Sequence, residues 1–192
     1  MTTAFMCADL HLGHRGIIKY RDFRSVEDHD GFVEHCWRSR VRKKNQTVYL
    51  LGDVAFDKES WLKLDDWPGT KIIILGNHDT ERVPASFIAG LKTVNAVHSM
   101  LKHKMGMLTH APMHADHLRG ARNIHGHLHG SLVRDRRYLN VSMEQIDYTP
   151  ISTEEIEREF ECRKSLRYVA SRLGTKAALS AAIQSRKKPS TH

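Results

Sequence analysis

At 192 residues, 40% apolar and 27% charged, the chain is long enough for one well-filled core and too apolar for bulk disorder. No run approaches the roughly 18 apolar residues of a membrane helix, and residues 4–8 lack the basic flank and length of a signal peptide, so a cytoplasmic protein with no membrane partner is expected. The net charge of +8 is uneven: residues 161–192 hold Arg163, Lys164, Arg167, Arg172, Lys176, Arg186, Lys187 and Lys188 against Glu161, leaving the remainder near neutral. Such a segment either attracts phosphate backbones or forms a solvated helical face with a frayed end.

In chain order, residues 3–8 read as a short buried strand ending at Asp9. Val26, Val33, Trp37 and Val41 recur at helical spacing and predict a helix over 26–43. Residues 47–51 form a second strand, running into Gly52 and Asp53, and a short helix follows at 60–64. Pro68 and Gly69 turn the chain into a third strand, 71–75, ahead of Gly76, Asn77 and His78. Residues 94–101 and 105–109 are expected as neighbouring strands around a Lys-His-Lys turn, the second delivering His110, and 122–125 and 138–142 as two more. Ser152-Thr-Glu-Glu is a capping box, opening a helix expected to run to about residue 172 and stop at Gly174. A last helical piece is expected at 176–184, with order fading after it. Strands ending in polar motifs, with amphipathic segments between, predict a layered α/β catalytic domain over 1–152 and a basic helical extension over 153–192.

Cys7, Cys36 and Cys162 are odd in number and widely spaced, which argues against disulfides or a thiolate zinc site. Histidine is the unusual residue, with 14 in the chain, clustered around short glycine-containing motifs. Five segments place hard or borderline ligands directly after an apolar strand: Asp9-Leu-His11, Gly52-Asp53, Gly76-Asn77-His78-Asp79, Thr109-His110 and Gly126-His127-Leu128-His129. Ligands collect at the carboxyl ends of strands in open α/β sheets, so these loops are expected to converge. Glycine before Asp53 and Asn77 allows the tight turn that brings a short side chain to a metal. Two carboxylates, one amide and four imidazoles suit Mn, Fe, Zn or Ni rather than Ca. A shared carboxylate is the usual bridge between two ions, and Asp53 is the best candidate.

The ordered set DLH, GD, GNHD, TH and GHLH, spanning Asp9 to His129, resembles the signature of calcineurin-like metallophosphoesterases. The flanking HLGH, IIKYRDF and NVSMEQIDYTPIS resemble a compact bacterial and phage branch of phosphoesterases within it. The resemblance implies a layered β-sandwich flanked by helices. It assigns Asp9, His11, Asp53 and His129 to a first divalent ion and Asp53, Asn77, His110 and His127 to a second, with Mn favoured and Ni, Zn, Fe or Mg as alternatives. It makes His78 the catalytic histidine, donating a proton to the leaving alkoxide or stabilising phosphoryl charge, while hydroxide shared by the two ions attacks in line. Some relatives orient that histidine with an Asp three residues after the bridging one, but position 56 is Phe, leaving Asp79 or a backbone carbonyl as the orienting partner.

His14, His114 and His125 lie beside the motifs but outside the pattern, either as ordinary histidines or as substrate contacts or supports for ligands. Arg15, Lys19, Arg21 and Arg24 offer guanidinium or ammonium groups, among which Arg15 and Arg21, with His14, are candidates to hold a substrate phosphate. The expected activity is hydrolysis of a phosphomonoester or phosphodiester, nucleotide-like or otherwise. A nuclease using the basic segment to hold DNA or RNA is the second reading, and a catalytically silent scaffold the third.

Overall fold

The computed structural model describes residues 3–173. Its strands are β1 (Phe5–Cys7), β2 (Thr47–Leu51), β3 (Thr70–Ile74), β4 (Val94–His98), β5 (Met100–His103), β6 (Gly106–Thr109), β7 (Asn123–His125), β8 (Tyr138–Asn140) and β9 (Ile151–Ser152). Its helices are α1 (Ile18–Arg21), α2 (Val26–Arg40), α3 (Lys58–Asp65), α4 (Ala85–Ala89) and α5 (Thr153–Leu173). They build a mixed α/β structure with two sheets. The first has the order β4-β3-β2-β1-β9, parallel from β4 to β1 with β9 antiparallel. The second has the order β5-β6-β7-β8, with β5 antiparallel to β6 and the rest parallel.

Period-two alternation divides the core in two. Phe5, Cys7, Val48, Leu50 and Ile73 point to one side of the first sheet, into a cluster with Val33 and Trp37 of α2, Trp61 and Leu64 of α3 and Ile88 of α4. Met6, Ala8, Leu51 and Ile74 point to the other side and share a buried cluster with Leu108, Ile124 and Leu139 of the second sheet and with Ile156 and Phe160 of α5. The first turns of α5 are therefore held by the inter-sheet core. The capping box forms reciprocally: Glu155 N donates to Ser152 Oγ at 3.2 Å and Ser152 N to Glu155 Oε2 at 2.8 Å.

Two expectations are corrected. The strand expected over 94–101 is two strands in different sheets, because the chain crosses at Ser99 from β4 beside β3 to β5 beside β6. The helix expected to reach residue 43 ends at Arg40: Val41 turns extended at φ −92° and ψ 101°, and Gln46 Oε1 accepts the amides of Arg42 and Lys43 instead. The helical piece expected at 176–184, the stop at Gly174 and most of the basic segment lie outside the described residues. No helix among the described residues is long and apolar enough to cross a membrane.

Candidate metal centre

The carboxyl ends of β1, β2, β3, β6 and β7 meet at one edge of the two sheets and deliver the predicted motifs together. Asp9, His11 and His129 form one group and Asp53, His110 and His127 another, and within each the ligand atoms all lie within 4.8 Å of one another. Asp9, His11, Asp53, His127 and His129 all adopt left-handed backbone, with φ between 47° and 68°. Left-handed conformation costs a non-glycine residue energy, and such strain gathers where side-chain direction matters more than local stability.

Each carboxylate is anchored by one oxygen and presents the other. Asp9 Oδ2 accepts from His127 N at 2.8 Å and lies 2.7 Å from Ser142 Oγ, whereas its Oδ1 is buried without a hydrogen-bond partner. Asp53 Oδ1 accepts from His78 N at 2.9 Å, and its Oδ2 lies 3.3 Å from His110 Nε2 and 3.9 Å from His11 Nε2. Asp53 Oδ2 thus stands between the two groups. Both ring nitrogens of His11 are buried and unpartnered as well.

The tautomers point the same way. His110 Nδ1–H donates to Leu51 O at 2.8 Å, so the neutral ring carries its lone pair on Nε2, and Asn77 Oδ1 and His127 Nδ1 lie only 3.0 and 3.1 Å from it. The Asn77 oxygen and the Asp53 carboxylate around that lone pair repel it unless a proton or a cation lies among them. His129 Nδ1 pairs with Glu144 Oε1 at 2.9 Å, which turns Nε2 towards Asp9 Oδ1, 4.0 Å away. Orphaned buried acceptors and this donor set fit two divalent ions, the second group with Asn77 added.

Close approach explains two glycines. A Cβ on Gly76 would strike Asp53, and one on Gly52, at φ +85°, would strike the His110 ring. Asp79, 1% exposed, ties the turns with both oxygens: Oδ1 accepts from Val54 N at 2.7 Å, and Oδ2 from Asp53 N at 3.0 Å and Gly76 N at 2.7 Å. Neither Asp79 nor a backbone carbonyl, the two partners the sequence left open, therefore holds His78 Nδ1. That role falls to Glu81, whose Oε1 lies 2.7 Å from His78 Nδ1, while His78 Nε2 faces Asp53 Oδ2 at 4.0 Å.

The charges follow. Burial alone would raise the Asp53 carboxyl, but contacts with His110 and the His78 amide outweigh it and hold the group at about 2. Burial lowers His11, and although burial opposes it, the Asp53 contact raises His110. Asp79 is pushed up to about 6, by burial first, against its amide donors.

The substrate-binding candidates separate. His14 stays at the site, its ring stacked on Phe56 at 3.7 Å and 5.4 and 6.3 Å from the rings of His11 and His78. Burial and neighbouring imidazoles lower it to about 4, leaving it neutral near pH 7. Arg15 is exposed. Arg21 is a correction: it is buried beneath Asp9 with its guanidinium committed to protein groups, and cannot clamp a substrate. His114 is exposed against Asp116 and His117, and His125 is buried with Nδ1 on Gly126 O. Sequence reasoning missed Glu81, Ser142 and Glu144. Glu81, at i+3 from His78, had a local signal; Ser142, 133 residues from Asp9, and Glu144, 123 residues from Arg21, had none.

No protein-family model matches the chain. The uncharacterized protein MJ1445 of Methanocaldococcus jannaschii is 31% identical over 180 residues, covering 88% of this chain and 97% of that protein. The Gene 66 protein of Mycobacterium phage D29 is 27% identical over 167 residues, covering 70% and 82%, and that of phage L5 is 36% identical over 87 residues, 41% of each. The crystal structure of AQ665, a protein of unknown function from Aquifex aeolicus, is similar in fold, with a TM-score of 0.62 over 82% of this chain and 99% of that one at 23% identity.

Proposed function

We propose that this chain, which belongs to one family with the Methanocaldococcus jannaschii protein MJ1445, is a dinuclear metal-dependent phosphoesterase of the calcineurin-like kind. In that reading the two sheets and their outer helices are the layered sandwich of such enzymes. The observation that carries it is Asp53 Oδ2, positioned between two groups of ligand atoms and within 4 Å of imidazole nitrogens from both. Asp9, His11, Asp53 and His129 would hold one ion and Asp53, Asn77, His110 and His127 the other, with Mn favoured over Ni, Zn, Fe or Mg. Two such ions lower the pKa of water and neutralise phosphoryl oxygens.

The chain's own groups do the remaining work. His78 turns Nε2 to the site, where it can exchange a proton with a phosphate ester, and Glu81, on Nδ1, fixes the ring from the other side. His14, neutral and stacked on Phe56, walls the same side and can donate to or accept from a phosphate ester. Strained turns at Asp9, His11 and Asp53 keep the ligands aimed before substrate arrives.

The test is a panel of p-nitrophenyl phosphate, bis-p-nitrophenyl phosphate, cyclic nucleotides and single-stranded DNA with Mn, Ni, Zn and Mg. Hydrolysis of a phosphate ester, lost in Asp53→Ala, supports the proposal. Hydrolysis of none with any metal removes it in favour of a scaffold. Turnover of DNA alone, falling steeply with salt and abolished by truncation after residue 173, assigns the nuclease reading instead.

A further inference from the structure

Five of the seven candidate ligands hold strained turns, and something must keep those turns from relaxing. For the second group the braces are Asp79 and the Leu51 carbonyl. For the first group a separate, closed network lies behind Asp9. Arg21 Nη2 donates to Asp9 O at 2.6 Å and Nη1 to Leu10 O at 3.2 Å, so the guanidinium holds the peptide groups of the turn that presents Asp9 and His11. Arg21 Nε donates to Glu144 Oε1 at 2.8 Å, and the same oxygen accepts His129 Nδ1–H at 2.9 Å.

The network returns to the other end of the loop. Arg21 Nη1 donates to His29 Nε2 at 3.0 Å, which places the imidazole proton on Nδ1, 2.8 Å from Asp30 Oδ1. Asp30 Oδ2 accepts the Gly13 amide at 2.9 Å. A single buried guanidinium therefore fixes the loop from Asp9 to Gly13 and, through Glu144, the ring of His129. A site that needed Arg21 for substrate would have left it a free donor face, whereas four N–H groups of its fork are already in use.

We infer that Arg21 and Glu144 are positioning residues that preorganise the Asp9–His11–His129 group for its ion and leave the Asp53–His110–His127 group to other braces. This rests on the metal-centre reading above, though not on the substrate. Carboxylates that hold the far nitrogen of a ligating imidazole fix its tautomer and direction, and their loss weakens metal affinity about 10- to 100-fold.

The experiment titrates metal-stripped, full-length protein with MnCl2 and follows the EPR signal of free Mn. The wild type should bind two ions. Glu144→Ala should weaken one step about 10- to 100-fold and leave the other unchanged. Glu144→Gln, whose amide oxygen still accepts from His129, should recover much of the loss. His110→Ala should weaken the opposite step, and the Glu144→Ala/His110→Ala pair should weaken both. Removing Glu144 strands a buried guanidinium, so Arg21→Met/Glu144→Met, which leaves no charge unpaired, separates positioning from folding. By circular dichroism it should be folded, yet weak at the same single step.

Wild-type affinity at both steps in the folded double variant overturns the inference while the metal centre stands. Equal weakening of both steps overturns it too, because the network would then be general scaffolding. A wild type that binds no ion removes the metal centre and this inference together, and a silent hydrolysis panel with two ions bound removes only the phosphoesterase.

Discussion

Asp79 is the place where local structure and site geometry depend most visibly on one side chain. It is 1% exposed and takes three backbone amides, Val54, Asp53 and Gly76, at 2.7 to 3.0 Å. Asp79→Ala orphans all three, and a buried donor left unpaired costs about 1–3 kcal/mol. Partial relaxation and water entry reduce the sum, so about 4 kcal/mol is expected for Ala. Asp79→Asn keeps one oxygen and loses one or two of the bonds, for about 2 kcal/mol. Against a typical total of about 5–15 kcal/mol, both variants should remain folded at 25 °C. Urea denaturation of metal-free protein with an unchanged m-value measures the losses. Because Oδ2 joins the amides flanking the Asp53 and Asn77 turns, both variants should also bind Mn more weakly. Asp79→Ala within about 0.5 kcal/mol of wild type would show that the three amides find water and that the turns support themselves.

His78→Ala should keep both ions and lose about 10²- to 10⁴-fold in turnover of whichever ester the panel identifies; metal loss equal to that of Asp53→Ala would cancel the distinction in roles. Glu81→Ala should cost less, about tenfold or under, since the His78–Glu81 pair is partly exposed and screened. Lys71 offers a check on the fold itself. It is fully buried, donates to Trp67 O at 2.6 Å and Thr93 Oγ1 at 3.0 Å, and burial lowers it to about 8 despite Asp65. A lysine depressed in the folded state opposes folding while it must carry a proton, so that penalty is relieved as pH rises from about 8 to the unfolded value of 10.5. The stability of wild type relative to Lys71→Met should therefore be flat below pH 8 and grow by up to about 3 kcal/mol across that window. A constant difference throughout would show that Lys71 has no depressed titration.

The site was legible because its chemistry is local. Each candidate ligand follows an apolar strand by one to four residues, and strand and ligand are read from one short window. Convergence followed from parallel strands ending at one edge, which the apolar runs at residues 47–51 and 71–75, each ending in a polar motif, already suggested. What stayed hidden is long-range: Arg21 and Glu144 are 123 residues apart, and nothing near Arg21 says whether its guanidinium faces a phosphate or the back of Asp9. Asp79 was legible as part of a motif but not in direction, since both of its oxygens turn inward to amides of two different loops. The crossing at Ser99 was hidden for a different reason. Residues 94–101 carry one continuous strand-like pattern, and only the pairing partners on either side assign its halves to different sheets.

The most direct measurement is a crystal structure of the Mn-soaked protein with anomalous data at the Mn edge. Two peaks about 3.5–4 Å apart, one against Asp9, His11 and His129, the other against Asn77, His110 and His127, with Asp53 touching both, are the expected result. A map with no peak among these residues, or with a single ion that leaves Asp53 without a bridging contact, would contradict the account.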